Sequence, residues 1–161
     1  MPERLIRVHV SDQRLELLED GAVVASYPVS TARNGLGERR GSGRTPRGWH
    51  RIRIKVGAGL PLNAVFVGRR PTGEIYSSEL AAGYPERDWI LTRILWLTGL
   101  ETGFNRGGDR DTLRRFIYLH GCPDEAPMGI PLSHGCIRLR NPDLLELFDR
   151  VEAGDRVFIA G

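Results

Sequence analysis

Residues 4–10 (RLIRVHV) put Ile6, Val8 and Val10 on one face of an extended segment and Arg7 and His9 on the other. That is the two-residue period of a half-buried strand. Segments 14–18 and 22–29 read as two more strands, with Glu19-Asp20-Gly21 between them as a hairpin turn. A glycine-rich loop runs from Asn34 to Gly43, alternation returns over 51–56, and 65–67 is a short apolar segment. Residues 89–98 (WILTRILWLT) fit a helical period by position, whereas their Ile, Thr and Trp content favours a strand. Residues 116–119 (FIYL) form a short buried strand leading into His120-Gly121.

Near the end the period changes to that of a helix. Leu144, Leu145, Phe148 and Val151 share one face, Asn141 suits the N-cap, Pro142 the first turn and Asp143 the positive end of the helix dipole. Gly154 closes the helix, and 156–160 is a last strand. The pattern predicts a mainly β chain, a sandwich or partly open barrel with one or two short helices. No linker or repeat divides residues 1–161, so they read as a single domain.

Composition narrows the class. The chain has 161 residues, 40% hydrophobic and 27% charged, enough to bury one core and too apolar to be disordered. Twenty glycines and ten prolines imply many turns, in keeping with short strands. Two cysteines, Cys122 and Cys136, exclude a disulfide-stapled scaffold. The net charge of +3 is spread thinly: Arg39 to Arg53 is the densest basic stretch, and Arg69-Arg70 is a further pair. Without a concentrated basic face, no nucleic-acid partner is expected. No apolar run approaches the ~18–20 residues of a membrane span, and no leader-like segment is visible at the start, which points to the cytoplasm, with the periplasm as the alternative if a leader has been removed.

Chemistry concentrates in residues 118–143, YLHGCPDEAPMGIPLSHGCIRLRNPD, where His-Gly-Cys occurs at 120–122 and again at 134–136. Three readings compete. In the first, Cys136 is a nucleophile served by a histidine base. Extended backbone would project His134, Cys136 and Arg138 from one face, with His120 approaching from a neighbouring strand, and Gly135 would admit a carbonyl group and leave backbone N–H groups for an oxyanion. In the second, His120, Cys122, His134 and Cys136 bind zinc, although each pair has one intervening residue where structural sites use two to four. In the third the cysteines are small buried hydrophobes, which suits Cys122 but leaves Ser133, His134 and Arg138 without a reason.

The motif resembles the signature of the YkuD-type L,D-transpeptidase catalytic domain. In that family a His-Gly on one strand is followed, a dozen or more residues on, by Ser-x-Gly-Cys-[Ile/Val]-Arg. Here these are His120-Gly121 and Ser133-His134-Gly135-Cys136-Ile137-Arg138, and Gly41-Ser42-Gly43-Arg44-Thr45-Pro46-Arg47-Gly48 resembles the family's glycine-rich Thr-Pro stretch. The resemblance implies a YkuD-like β-sandwich acting on peptidoglycan stem peptides without a cofactor or metal. Cys136 would attack the carbonyl between the position-three diamino acid and D-Ala, leaving a thioester. His120 would be the base, with the Gly121 carbonyl orienting it. The backbone N–H groups of Gly135, Cys136 and His134 would hold the oxyanion.

Arg138, Ser133 and Tyr118 are the expected substrate contacts. Against this stand an Arg138–Asp143 ion pair, structural hydrogen bonding by Ser133, a core role for Tyr118 and a plain helix cap at Asn141. Cys122 stands where the family usually has a small polar residue, and its expected nearness to Cys136 predicts a disulfide under oxidation. Trimming by water, as a cytoplasmic L,D-carboxypeptidase of murein recycling, is the favoured activity, and cross-linking or D-amino acid exchange as an L,D-transpeptidase is the alternative.

Overall fold

Alternation along the chain becomes ten strands in the computed structural model, which describes residues 2–161. Strands β1 (Arg4–His9), β2 (Arg14–Glu19) and β3 (Ala22–Ser30) form an antiparallel meander. Its second turn has both central residues, Asp20 and Gly21, at positive φ, as a two-residue hairpin requires. Then come β4 (Gly48–Val56), the hairpin β5 (Ala64–Val67) and β6 (Arg70–Ile75), and the one-turn-and-a-half helix α1 (Ser78–Gly83). Next are β7 (Ile90–Gly99), β8 (Tyr118–Gly121), β9 (Ile137–Leu139), helix α2 (Asn141–Arg150) and β10 (Arg156–Ala160). Segment 90–99 is therefore a strand.

The strands form one sheet in the order β4-β10-β1-β2-β3-β9-β8-β7-β5-β6, and β4 also pairs with β7. That extra pairing closes eight strands on themselves, leaving β5–β6 as a hairpin attached to β7. The two faces of the expected sandwich are thus one sheet curled into a flattened barrel. Inside it Ile6, Val8, Leu15, Leu17, Val29, Leu119, Ile137 and Leu139 are fully buried. Helix α2 rests on β7 and β8 and adds Leu144, Leu147 and Phe148 to this core. Each such side chain is worth about 1.5–3 kcal/mol when removed from water. The Lys55 ammonium donates to the carbonyls of Phe148 (2.6 Å) and Val151 (2.7 Å), capping the negative end of α2.

The helix starts differently from expectation. Arg140 is the N-cap and makes no side-chain cap bond; Asn141 is the first helical residue, followed by Pro142, with Asp143 in the first turn. Asn141 is completely buried instead, and its amide is used elsewhere. At the other end α2 stops at Arg150, and Gly154, at φ +97, belongs to the turn into β10.

Two pairings position the site. β8 and β9 are parallel, with Leu119 opposite Ile137, His120 opposite Arg138 and Gly121 opposite Leu139. Parallel neighbours need a long connection, and residues 122–136 supply it. A bulge in β7 between Leu91 and Ile94, with Thr92 at φ +76, lies directly across from Gly121 and His120.

Candidate active site

Strand geometry sorts the motif into two faces. Leu119, Ile137 and Leu139 point into the core, so Tyr118, His120 and Arg138 point outward. Extending the β8–β9 register by one residue sets Cys136 beside Tyr118, and the Tyr118 N–H meets Cys136 Sγ at 3.3 Å. Tyr118, His120, Cys136, Arg138, Ser133 and His134 all line one cavity of about 370 Å³. His134 precedes the strand rather than sharing its face, yet reaches the same cavity.

The turn that presents the thiol is built from backbone and hydroxyl bonds. Ser133 Oγ donates to the Cys136 carbonyl (2.5 Å) and accepts the Gly135 N–H (3.2 Å). Thr45, from the Thr-Pro stretch, donates to the Gly135 carbonyl (2.9 Å) and accepts from the Ala32 N–H (3.0 Å). Gly135 has φ +132, which side-chain-bearing residues rarely adopt. The Gly135 N–H, expected to serve an oxyanion, is therefore spent on Ser133, and the Ser133 hydroxyl is spent on shaping the turn.

His120 is buried, and its Nδ1 lies 2.6 Å from the Gly121 carbonyl. A carbonyl only accepts, so Nδ1 carries the proton and Nε2 keeps the lone pair. Gly121 cannot be larger: a Cβ there would meet the Leu91 carbonyl at 2.7 Å and collide with Asn141 Oδ1. Asn141 accepts from Thr92 Oγ1 (2.7 Å) and donates to the Cys122 carbonyl (3.0 Å) and to Asn63 Oδ1 (2.8 Å). His120 is thus held by a buried polar strut that joins the bulge, the β8 end and the start of α2.

Burial decides the resting charges. It pushes the Cys136 thiol up to about 12, against the lowering effect of the Tyr118 N–H. Burial also pushes His120 below its usual value, although the nearby Asp88 carboxylate and the Gly121 bond act the other way. The pair therefore rests as neutral thiol and neutral imidazole. Cys136 Sγ meanwhile lies 3.3 Å from the Phe116 carbonyl.

Asp88, which the sequence pattern did not mark, is the one acid on this cavity. Its carboxylate meets Arg138 Nη2 at 3.1 Å and His134 Nδ1 at 3.4 Å. Burial raises the Asp88 carboxyl, and its neighbours His120, Arg138 and His134 together outweigh it, leaving the group more acidic than usual. The partner of Arg138 is thus Asp88, not Asp143. Asp88 lies in the polar segment before β7, where neither periodicity nor a motif flags it. Tyr118 is buried like a core residue and also lines the cavity, where its hydroxyl accepts from Arg69 at 3.0 Å.

Cys122 is far from Cys136. It lies four residues beyond Tyr118 along β8, roughly 13 Å at strand rise, and its Sγ donates to the Leu139 carbonyl at 3.4 Å. A disulfide needs Cα atoms within about 7 Å, so the predicted bridge does not form in this fold. Both cysteines are free, and burial pushes the Cys122 thiol up to about 11. The same offset separates the four residues of the zinc reading, and no cluster of three metal-ligating side chains occurs among the described residues.

A second cavity of about 360 Å³ adjoins the first and shares Asp88, His134 and Arg138 with it; Glu86, Arg87 and Trp89 line its far wall. A third opens between His134 and the 40–43 loop. Arg115 ties that loop down, donating to the carbonyls of Gly37 (3.2 Å) and Arg44 (2.6 Å).

Residues 3–159 match the family model of the YkuD domain, the L,D-transpeptidase catalytic domain. Over 43 residues the chain is 44% identical to the probable L,D-transpeptidase YbiS of Escherichia coli K12, a match covering 27% of this chain and 14% of that protein. Over 45 residues it is 47% identical to the probable L,D-transpeptidase ErfK/SrfK of Salmonella typhimurium, covering 28% and 15%. An L,D-transpeptidase structure from Mycobacterium smegmatis superposes with a TM-score of 0.62 at 21% identity, covering 99% of this chain and 59% of that one. L,D-transpeptidase 3 from Mycobacterium tuberculosis gives 0.61 at 17%, covering 99% and 62%. The chain thus spans about three-fifths of the length of these structural relatives.

Proposed function

The chain belongs to the L,D-transpeptidase catalytic domain family, and from that premise we propose that it is a cysteine-dependent L,D-peptidase of peptidoglycan stem peptides. The observation that carries this reading is the shared cavity: a neutral thiol at Cys136 faces the space onto which His120 opens, with the His120 tautomer set by Gly121.

As the Cys136 sulfur attacks the carbonyl between the diamino acid at position three and D-Ala, its proton passes to His120 Nε2. The backbone N–H groups of Cys136 and His134 receive the oxyanion; the Gly135 N–H joins them only by leaving Ser133. Collapse breaks the C–N bond, His120 returns the proton to the departing D-Ala amine, and a thioester remains. Water or an amine then attacks the thioester, His120 takes its proton, and the thiol is restored.

With water the product is a tripeptide stem, and we assign this L,D-carboxypeptidase activity to cytoplasmic recycling of muropeptides. The second reading, transfer to an amine, draws on the adjoining cavity, where Glu86, in no salt bridge among the described residues, can meet an acceptor ammonium, while Asp88 and Arg138 pair with each other and Arg87 with Glu74.

Incubation with a tetrapeptide stem, with and without excess D-amino acid, separates the two by product mass: tripeptide alone means hydrolysis, exchanged or dimeric product means transfer. Cys136→Ala abolishes product, and His120→Ala costs at least ~100-fold while His134→Ala costs far less. Equal turnover by wild type and Cys136→Ala would remove the enzymatic reading. Cell fractionation with an antibody to the chain tests the compartment.

A further inference from the structure

Three guanidinium groups line the cavity that holds the thiol, and they are not equivalent. Arg138 is paired with Asp88, and Arg115 spends its donors on the 37–44 loop. Arg69 forms no salt bridge among the described residues. Its Nη1 donates to the Tyr118 hydroxyl at 3.0 Å, and its guanidinium lies over the rings of Phe116 (4.5 Å) and Trp96 (4.9 Å). Stacking engages the faces of the guanidinium and leaves the remaining N–H edges, spaced to match a carboxylate, free to face the cavity.

The backbone around Arg69 is arranged to bring it there. Gly68 and Arg69 form the two-residue turn of the β5–β6 hairpin, with φ of +56° and +65°. Glycine, Asn or Asp would hold such a turn at lower cost. Phe116, which carries the guanidinium, is also at positive φ, +57°. Two residues at positive φ thus stack on each other at the cavity wall, with the Arg69 conformation set by its hairpin turn.

We propose that Arg69 is a carboxylate anchor: it binds the free C-terminal carboxylate of the residue that leaves, and so makes the enzyme cut one residue from an acidic chain end. This rests on the peptidase reading above. Tyr118 gives the scale, because its backbone N–H touches the Cys136 sulfur and its hydroxyl touches Arg69, so sulfur and guanidinium stand at opposite ends of one side chain. A carboxylate one residue beyond the scissile carbonyl lies within about 3.6 Å of it, inside that span. The aromatic floor of Trp96 and the half-exposed Phe116 holds the guanidinium in place for the pairing.

The test compares tetrapeptide stems ending in a free acid with the same stems ending in an amide. Each is made with diaminopimelate and with lysine at position three, so that a side-chain carboxylate is told apart from the terminal one. Wild type is expected to prefer acid over amide by about 10- to 100-fold in kcat/KM with either diamino acid. In Arg69→Gln the preference falls to near one, and Arg69→Lys, which keeps the charge without the fork, retains part of it. Calorimetric binding to Cys136→Ala, and to Cys136→Ala with Arg69→Gln, repeats the comparison without turnover. An acid preference in binding that vanishes with Arg69→Gln upholds the anchor even if no stem is cleaved. Cleavage by wild type without acid preference, preference that survives Arg69→Gln, or preference that follows the diaminopimelate side chain and not the terminus overturns the anchor while leaving the peptidase standing.

Discussion

At the scale of single residues the site runs on opposed pKa pressures. Burial lowers His120 and raises Cys136, and Asp88 raises both. On the proposed mechanism the rate requires neutral His120 and is expected to fall as pH drops through a value below 6.5, the ordinary histidine value; with the thiol at about 12, no thiol-controlled limb enters the neutral range. Asp88→Asn removes the carboxylate that favours protonated His120. The acid limb of kcat/KM is then expected to move to lower pH, read from a profile between pH 4 and 8. A limb that stayed in place, or moved up, would show that Asp88 acts only as the tether of Arg138. His120 and Cys136 are legible in the sequence motif; Asp88 is not, because it precedes Arg138 by fifty residues and sits in a polar stretch with no period. Arg69 was visible only as half of an Arg-Arg pair, because stacking on Trp96 and Phe116 is a tertiary fact.

At the scale of elements, Asn141 joins three pieces of chain. Its amide reaches Thr92 in the β7 bulge and the Cys122 carbonyl past β8, both buried, and the half-buried Asn63 before β5. Asn141→Ala orphans a hydroxyl, an amide oxygen and a carbonyl and is expected to cost about 2–4 kcal/mol, read from the denaturant midpoint. Asn141→Asp should cost at least as much, since a carboxylate cannot donate to Asn63 or Cys122. A loss under about 0.5 kcal/mol for both would mean the strut is not a unit. The strands were readable because alternation and apolar runs report directly which face is buried, and the Asp20-Gly21 turn because its φ values demand those residues. Asn141 was misread for a physical reason: Asn-Pro-Asp at a helix start satisfies the local rules of capping, while its true partners lie 49 and 78 residues away. The Cys122–Cys136 bridge failed similarly, since the doubled His-Gly-Cys hides a four-residue offset in the β8–β9 register.

At the scale of the whole molecule, closure of the barrel depends on β4, which pairs with β10 on one side and β7 on the other. His50 stands where both pairings meet, opposite Val157 and Gly99. It is fully buried, its Nδ1 3.0 Å from the Gly48 carbonyl and its Nε2 2.9 Å from Thr112 Oγ1. Nδ1 therefore carries the proton, and in the neutral ring Nε2 accepts the Thr112 hydroxyl. Burial lowers His50 from 6.5 to about 4, outweighing the Gly48 bond and the charge of Glu38. The sign follows from which state binds the proton. Below pH 6.5 the unfolded chain takes a proton that the folded chain declines, so stability is full above that value and declines until about pH 4. The loss amounts to about 3 kcal/mol, a large share of a domain's ~5–15 kcal/mol. His50→Gln keeps an amide donor for Gly48 and an oxygen for Thr112 but cannot titrate. Urea unfolding at pH 7 and pH 4.5 should show a smaller fall in the variant than in wild type, the remainder coming from groups such as His120, which burial shifts in the same direction. Parallel falls in the two proteins would place the acid sensitivity elsewhere than in the strand that closes the barrel.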